Sequence, residues 1–241
     1  SGHLGLKGEW SEETSQVLFE GTPRRLHGVG EHLLVIDTDE QLWSIPVEDG
    51  VIAGEPLFIQ GDTYAVGATE TPDGFAVATC GEDGGAVVAQ VQAGEVAWTT
   101  SLEGDCFFDA RPSIAWESDR LAVAWEQLDM GMAALLDETG TLVEQVELGE
   151  DGRYPRVVAL DSGFLVADGS GQLRQFEADG TAVGTWQHPD IAHMEGNMAG
   201  LRLTVTDDLW GFALIGYDLE FTEAGHANTF YYLEVSAVPV P

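Results

Sequence analysis

Basic side chains are so scarce in this chain that the position of each one is informative. Nine Lys and Arg face 42 Asp and Glu, for a formal net charge of −33. Five of the nine, Arg24, Arg25, Arg111, Arg153 and Arg156, stand with Tyr64, Phe107, Phe108 and Tyr154 in polar segments between apolar runs. A guanidinium holds a carboxylate or phosphate through two parallel hydrogen bonds and stacks on aromatic rings. Arg24, Arg25, Tyr64, Phe107, Arg111, Arg153, Tyr154 and Arg156 therefore form the candidate ligand-binding set. The plainer reading has each Arg pairing with a local acid, such as Asp62, Asp109 or Asp151, and fastening its own segment. That reading is preferred, because every Arg-bearing segment has an acid nearby.

Three other residue groups bear on chemistry. His188, His193, Met194 and Met198 share one segment, and Met130 and Met132 share another. Thioether with imidazole suits copper, especially Cu(I), but no fixed ligand spacing is matched, and loop methionines serve more often as flexible apolar filler. Carboxylates cluster in short Gly-rich turns: Asp37-Thr38-Asp39-Glu40, Gly81-Glu82-Asp83-Gly84-Gly85 and Asp168-Gly169-Ser170-Gly171. Calcium takes such ligands, though none of these turns has the ordered positions of a calcium loop. Copper or calcium is thus the cofactor alternative to none. The segment from Gly216 to Asn228 reads as the longest turn and a candidate lid, carrying Asp218, Glu220, Phe221, Glu223 and His226.

Catalytic patterns are wanting. There is no Gly-x-Ser-x-Gly elbow, no His-Glu-x-x-His and no phosphate-binding Gly loop. A glycosidase needs converging carboxylates, and the run Arg25-Leu26-His27-Gly28-Val29-Gly30 offers none. His27 is there either as a base or as a satisfied structural residue, the second being commoner. No catalytic residue is assigned.

These segments are positioned by a repeat. Apolar phrases centred on Val35, Val77, Val123, Val166 and Phe212 recur at intervals of 42 to 46 residues. Each is preceded by a mixed segment and followed by a polar turn, an alternating run and a Gly-containing turn such as Asp49-Gly50 or Ala93-Gly94. Short strands with hairpin signals at a period in the forties predict blades of four antiparallel strands. The expected fold is all-β, a five-bladed β-propeller in one domain, residues 1–241. The fifth repeat lacks a fourth strand before Pro241. Gln16-Val17-Leu18-Phe19-Glu20-Gly21 resembles the fourth strands near Leu57 and Leu102, so residues 14–21 are expected to complete the blade formed by 198–238. In such a ring, Cys80 and Cys106 fall on one face. A disulfide is the preferred reading over two free thiols, and it implies export.

A chain this acidic repels nucleic acid and anionic membranes, so neither is an expected partner. The charge reads first as a solvated acidic surface, and second as a patch for a basic partner. No window approaches a membrane span, nothing at the start has a signal-peptide pattern, and a monomer is expected.

One stretch carries a resemblance. Ala110-Arg111-Pro112-Ser113-Ile114-Ala115-Trp116, followed by Arg120-Leu121-Ala122-Val123-Ala124-Trp125 and Asp137-Glu138-Thr139-Gly140, resembles a repeat of large exported bacterial proteins, notably of myxobacteria. Tyr154 to Ala159 matches in part. Gly94-Glu95-Val96-Ala97-Trp98 is similar to blades of quinoprotein-type propellers. The resemblance brings no catalytic residues. It implies an exported (periplasmic, surface or extracellular) propeller that binds a protein or small ligand. Metal binding and carbohydrate binding or glycoside hydrolysis are the alternatives.

Overall fold

The computed structural model describes residues 3–4, 16–17, 23–81, 85–106, 111–127, 130–149, 154–187, 197–205, 209–221 and 227–239. All regular structure among them is β-strand, and the chain divides into two compact units, Ser1–Pro112 and Ser113–Pro241.

The first unit holds a short pair and two larger sheets. β1 (His3–Leu4) pairs antiparallel with β2 (Gln16–Val17). The first sheet runs β3 (Pro23–Val29), β4 (His32–Asp37) and β5 (Leu42–Glu48), and β5 pairs with both β6 (Val51–Ile52) and β7 (Leu57–Gln60). The second sheet is β8 (Ala65–Thr71), β9 (Gly74–Cys80), β10 (Ala86–Gln92) and β11 (Glu95–Ser101), in sequence order and antiparallel. Val29, Leu34, Ile36, Val66, Phe75 and Val77 build the core that these two sheets share.

The second unit repeats the plan. The third sheet is β12 (Ser113–Glu117), β13 (Arg120–Gln127), β14 (Met130–Asp137) and β15 (Leu142–Gly149). The fourth is β16 (Arg156–Leu160), β17 (Gly163–Ala167), β18 (Gln172–Glu177) and β19 (Ala182–Gln187). β20 (Asn197–Val205), β21 (Leu209–Phe221) and β22 (Ala227–Pro239) form a three-stranded fifth sheet. Leu165, Leu173 and Trp210 join the fourth and fifth sheets, with Trp186 edge-on to Trp210 at 4.9 Å.

The repeated apolar phrases are the second strands, β4, β9, β13 and β17, and they are buried on both faces. That is why they read as continuous apolar runs rather than alternating ones. The outer strand β11 alternates exposed and half-buried residues, as one-sided packing demands. Asp49-Gly50 and Ala93-Gly94 turn with positive φ at both positions, the mirror-image turn that fits strand twist. Ser118-Asp119 does the same without glycine. Gly74 and Gly163 each begin a second strand, where a Cβ would collide with a carbonyl of the third strand, at Val91 and Phe176.

Two expectations change. Met130 and Met132 lie within β14 rather than in a turn, and Met132 is buried. The segment 216–228 is largely a hairpin: β21 and β22 pair from Gly216↔Tyr232 out to Phe221↔Ala227. Thr229-Phe230-Tyr231-Tyr232 is rich in β-branched and aromatic residues, which favour a long strand over a lid. Asp218, Glu220 and Phe221 therefore sit in β21, while Glu223 and His226 lie outside the described residues.

Candidate functional site

In the first unit, Arg24 and Tyr64 meet where β4 ends and β3 begins. Asp37 organises that end. Its Oδ1 accepts the backbone N–H groups of Asp39 and Gln41, both at 2.9 Å, and its Oδ2 accepts Trp43 Nε1 at 3.0 Å. The turn thus held places Glu40 at a φ of 61°, with its carboxylate toward β3. Arg24 Nη1 donates to Glu40 Oε1 at 3.2 Å, and the guanidinium lies 5.4 Å from the centroid of the Tyr64 ring. Tyr64 is fixed in turn, because its N–H donates to the Cys80 carbonyl at 2.9 Å, and the Thr63 N–H donates to the Glu40 carbonyl at 2.8 Å.

Cys80 and Cys106 form a disulfide, Cα to Cα 5.4 Å, both nearly fully buried. It ties the end of β9 to the segment leading toward Arg111. On β3, the His27 imidazole is held below its ordinary pKa, first by burial and then by the field of Arg111. The described contacts thus join Arg24 with Glu40 and Tyr64, and separately set His27 in the field of Arg111. Arg24 lies over an aromatic ring and engages a carboxylate of its own unit, which fastens the start of β3 to the turn after β4. Its acid partner is Glu40, 16 residues further along the chain. Arg25, one residue on, is half-buried in β3.

In the second unit, Tyr154 takes a φ of 53°, and its N–H donates to Glu126 Oε2 at 3.1 Å. Glu126 is 4% exposed, a buried acid that sequence reasoning passed over. Arg156 Nη1 donates to the Pro155 carbonyl at 2.9 Å. Arg174, also passed over, lies 3.7 Å from Asp168 Oδ2 and donates to Gln172 Oε1 and the Leu148 carbonyl. Burial pushes the Asp168 carboxyl up, while Ser170 and Arg174 pull it down. Its Oδ1 accepts the N–H groups of Ser170 and Gln172. Asp37-x-x-x-Gln41-Leu42-Trp43 and Asp168-x-x-x-Gln172-Leu173-Arg174 are the same device: Oδ1 closes the turn, and Oδ2 faces the side chain six residues on. The signal was that internal match, which reading the acids as calcium ligands hid. In both turns Oδ1 is engaged by backbone amides.

Phe107, Phe108, Asp109, Asp151 and Arg153 lie outside the described residues, as do His188, His193 and Met194; Met198 belongs to β20, and nothing is said of its side chain. Among the described residues no group of three His, Cys, Asp or Glu is placed to hold a metal.

No protein-family model matches the sequence, and no curated protein does. Solved structures do. The chain is similar to the Dos1 propeller, at 9% identity over 87% of this chain and 61% of that one, with a TM-score of 0.58. It is similar to BBS1N in complex with ARL6DN, at 14% identity over 89% and 67%, with a TM-score of 0.55. BamB from Moraxella catarrhalis aligns at 14% identity over 90% and 61%, with a TM-score of 0.48. The chain spans about three fifths of the BamB and Dos1 chains. Identities this low speak for fold alone: four-stranded antiparallel sheets in a β-propeller.

Proposed function

We propose that this chain is a non-enzymatic, exported propeller that binds a protein partner or a small anionic ligand through Arg24, Arg25, Tyr64 and Arg111. Phe107, Arg153, Tyr154 and Arg156 are proposed as further ligand contacts on the same side-chain chemistry. The observation that carries it is the Arg24 guanidinium held between the Tyr64 ring and Glu40, in a chain that has so few cations. A protein partner is in keeping with BBS1N, whose structure is a complex with ARL6DN. The Cys80–Cys106 disulfide supports an oxidising compartment. The finer architecture belongs to the same proposal: the five sheets are five blades of one domain, and residues 14–21 complete the blade formed by 198–238.

The site is tested by titrating isotope-labelled protein with acetate, inorganic phosphate and an acidic tetraglutamate peptide. The expected result is saturable perturbation of the Arg24 and Tyr64 signals by at least one of them. Arg24→Gln is expected to weaken that binding about tenfold, the loss of a charge-assisted contact. Perturbations scattered over the surface, or binding unchanged in Arg24→Gln, would defeat the assignment.

A further inference from the structure

The third sheet is short of bulky side chains where it meets the fourth. Ala115, Ala122, Ala124 and Ala133 enter the core these sheets share, opposite Phe164 and Val166. The alanines leave a crevice of about 30 Å³, lined by Ala122, Ala133, Leu135, Val146, Phe164 and Phe176 among others. A water molecule needs only about 10–15 Å³, but it also needs two to four polar partners. Among the described lining residues only Glu144 is charged, and the rest are apolar or glycine. The space suits water by size and an apolar occupant by chemistry.

The mouth of the crevice adds a charge. Glu144 reaches from β15 across to Gly180 in the β18–β19 turn. A Cβ at Gly180 would fall 2.5 Å from Glu144 Oε2 and 3.4 Å from Leu135 Cδ2. Carboxylate and leucine methyl thus converge on one spot. The rim is anionic beyond Glu144. Asp137 opens the β14–β15 turn and Asp179 lies in the middle of the β18–β19 turn, and both carboxyls are held below their ordinary range. The Thr139 hydroxyl does this for Asp137 and the Thr181 backbone N–H for Asp179. Both carboxylates also feel the Arg120 guanidinium, a cation that offsets part of the negative charge of this rim.

We propose that this crevice docks a lysine side chain of a basic protein partner, the aliphatic stem between Ala133 and Phe164 and the ammonium against Glu144. Lysine has the required form, an apolar stem with a cation at its tip. The occupant is set by charge complementarity: the mouth is anionic, and a chain of net charge −33 draws basic partners from a distance.

The test uses two probes on methyl-labelled protein, n-pentylammonium for the pocket chemistry and tetralysine for the partner, with pentanoate as the anionic counterpart. Both cations are expected to shift the Ala122, Ala133, Val146 and Val166 methyls saturably, and pentanoate is not. Glu144→Gln, a surface change, is expected to weaken the shifts about threefold, the worth of one partly exposed ion pair. Ala133→Leu fills the space at unchanged charge and is expected to abolish them, with Ala122→Val serving if that variant does not fold. Absence of saturable methyl shifts with n-pentylammonium up to about 100 mM would overturn the proposal. So would equal binding of pentanoate, or tetralysine shifts that survive filling of the crevice.

Discussion

His27 and His32 carry the clearest dependence of stability on pH. Burial lowers both pKa values, against a weaker raising effect of Glu31 at His32, where Nδ1 also meets Ser44 Oγ at 2.9 Å. A histidine whose folded pKa lies below its ordinary value of 6.5 binds protons more readily unfolded. The folded state is therefore undisturbed above pH 7 and loses stability as pH falls through 6.5 toward the lowered values. Asp168, raised by burial, acts in the opposite sense, from its ordinary value of 3.8 upward. The melting temperature is expected to fall between pH 7.5 and 5.5, and the double variant His27→Gln, His32→Gln to flatten that fall. A wild-type melting temperature constant over this range would contradict the assignment. At this scale the sequence was legible in part. Rarity singled out Arg24, but its partner Glu40 is set by a turn that no spacing rule shows. Arg174 was missed because its function is local to a repeat turn.

Among the elements, the strands were the easiest part to read, because burial of both faces of β4, β9, β13 and β17 writes an apolar run every 42 to 46 residues. β21 and β22 were harder. Their pairing extends through Asp218 and Glu220, polar residues that read as a loop until the aromatic partner strand is paired with them. The turns that begin with Asp have a consequence of their own. Asp37 accepts three hydrogen bonds and is 5% exposed, so removing it strands the Trp43 indole and two turn amides. Asp37→Ala is expected to cost about 1–3 kcal/mol, the worth of hydrogen bonds made to a charged acceptor. Asp37→Asn keeps an acceptor for the turn and is expected to cost less. Urea denaturation measures both. Equal costs for the two would mean that charge, rather than the turn geometry, is what Asp37 contributes.

For the molecule as a whole, the question is how the fifth sheet is completed. β20, β21 and β22 supply three strands, whereas the third and fourth sheets have four each. An uncovered strand edge leaves backbone groups unpaired and invites association, and the proposal above assigns residues 14–21 to that edge. Removing residues 1–22 tests it. The deletion takes away Glu9, Glu12, Glu13 and Glu20 against one lysine, Lys7, so it lowers the net negative charge and relieves self-repulsion. Electrostatics alone therefore favours the shortened chain. A lost strand works the other way, and the shortened protein is expected to melt lower and to self-associate in sedimentation. Adding a synthetic peptide of residues 12–22 in trans is expected to restore both properties, since strand addition to an open edge recovers the main-chain pairing. A shortened chain that melts at the original temperature, or one that ignores the peptide, would overturn the assignment of residues 14–21 to the fifth sheet.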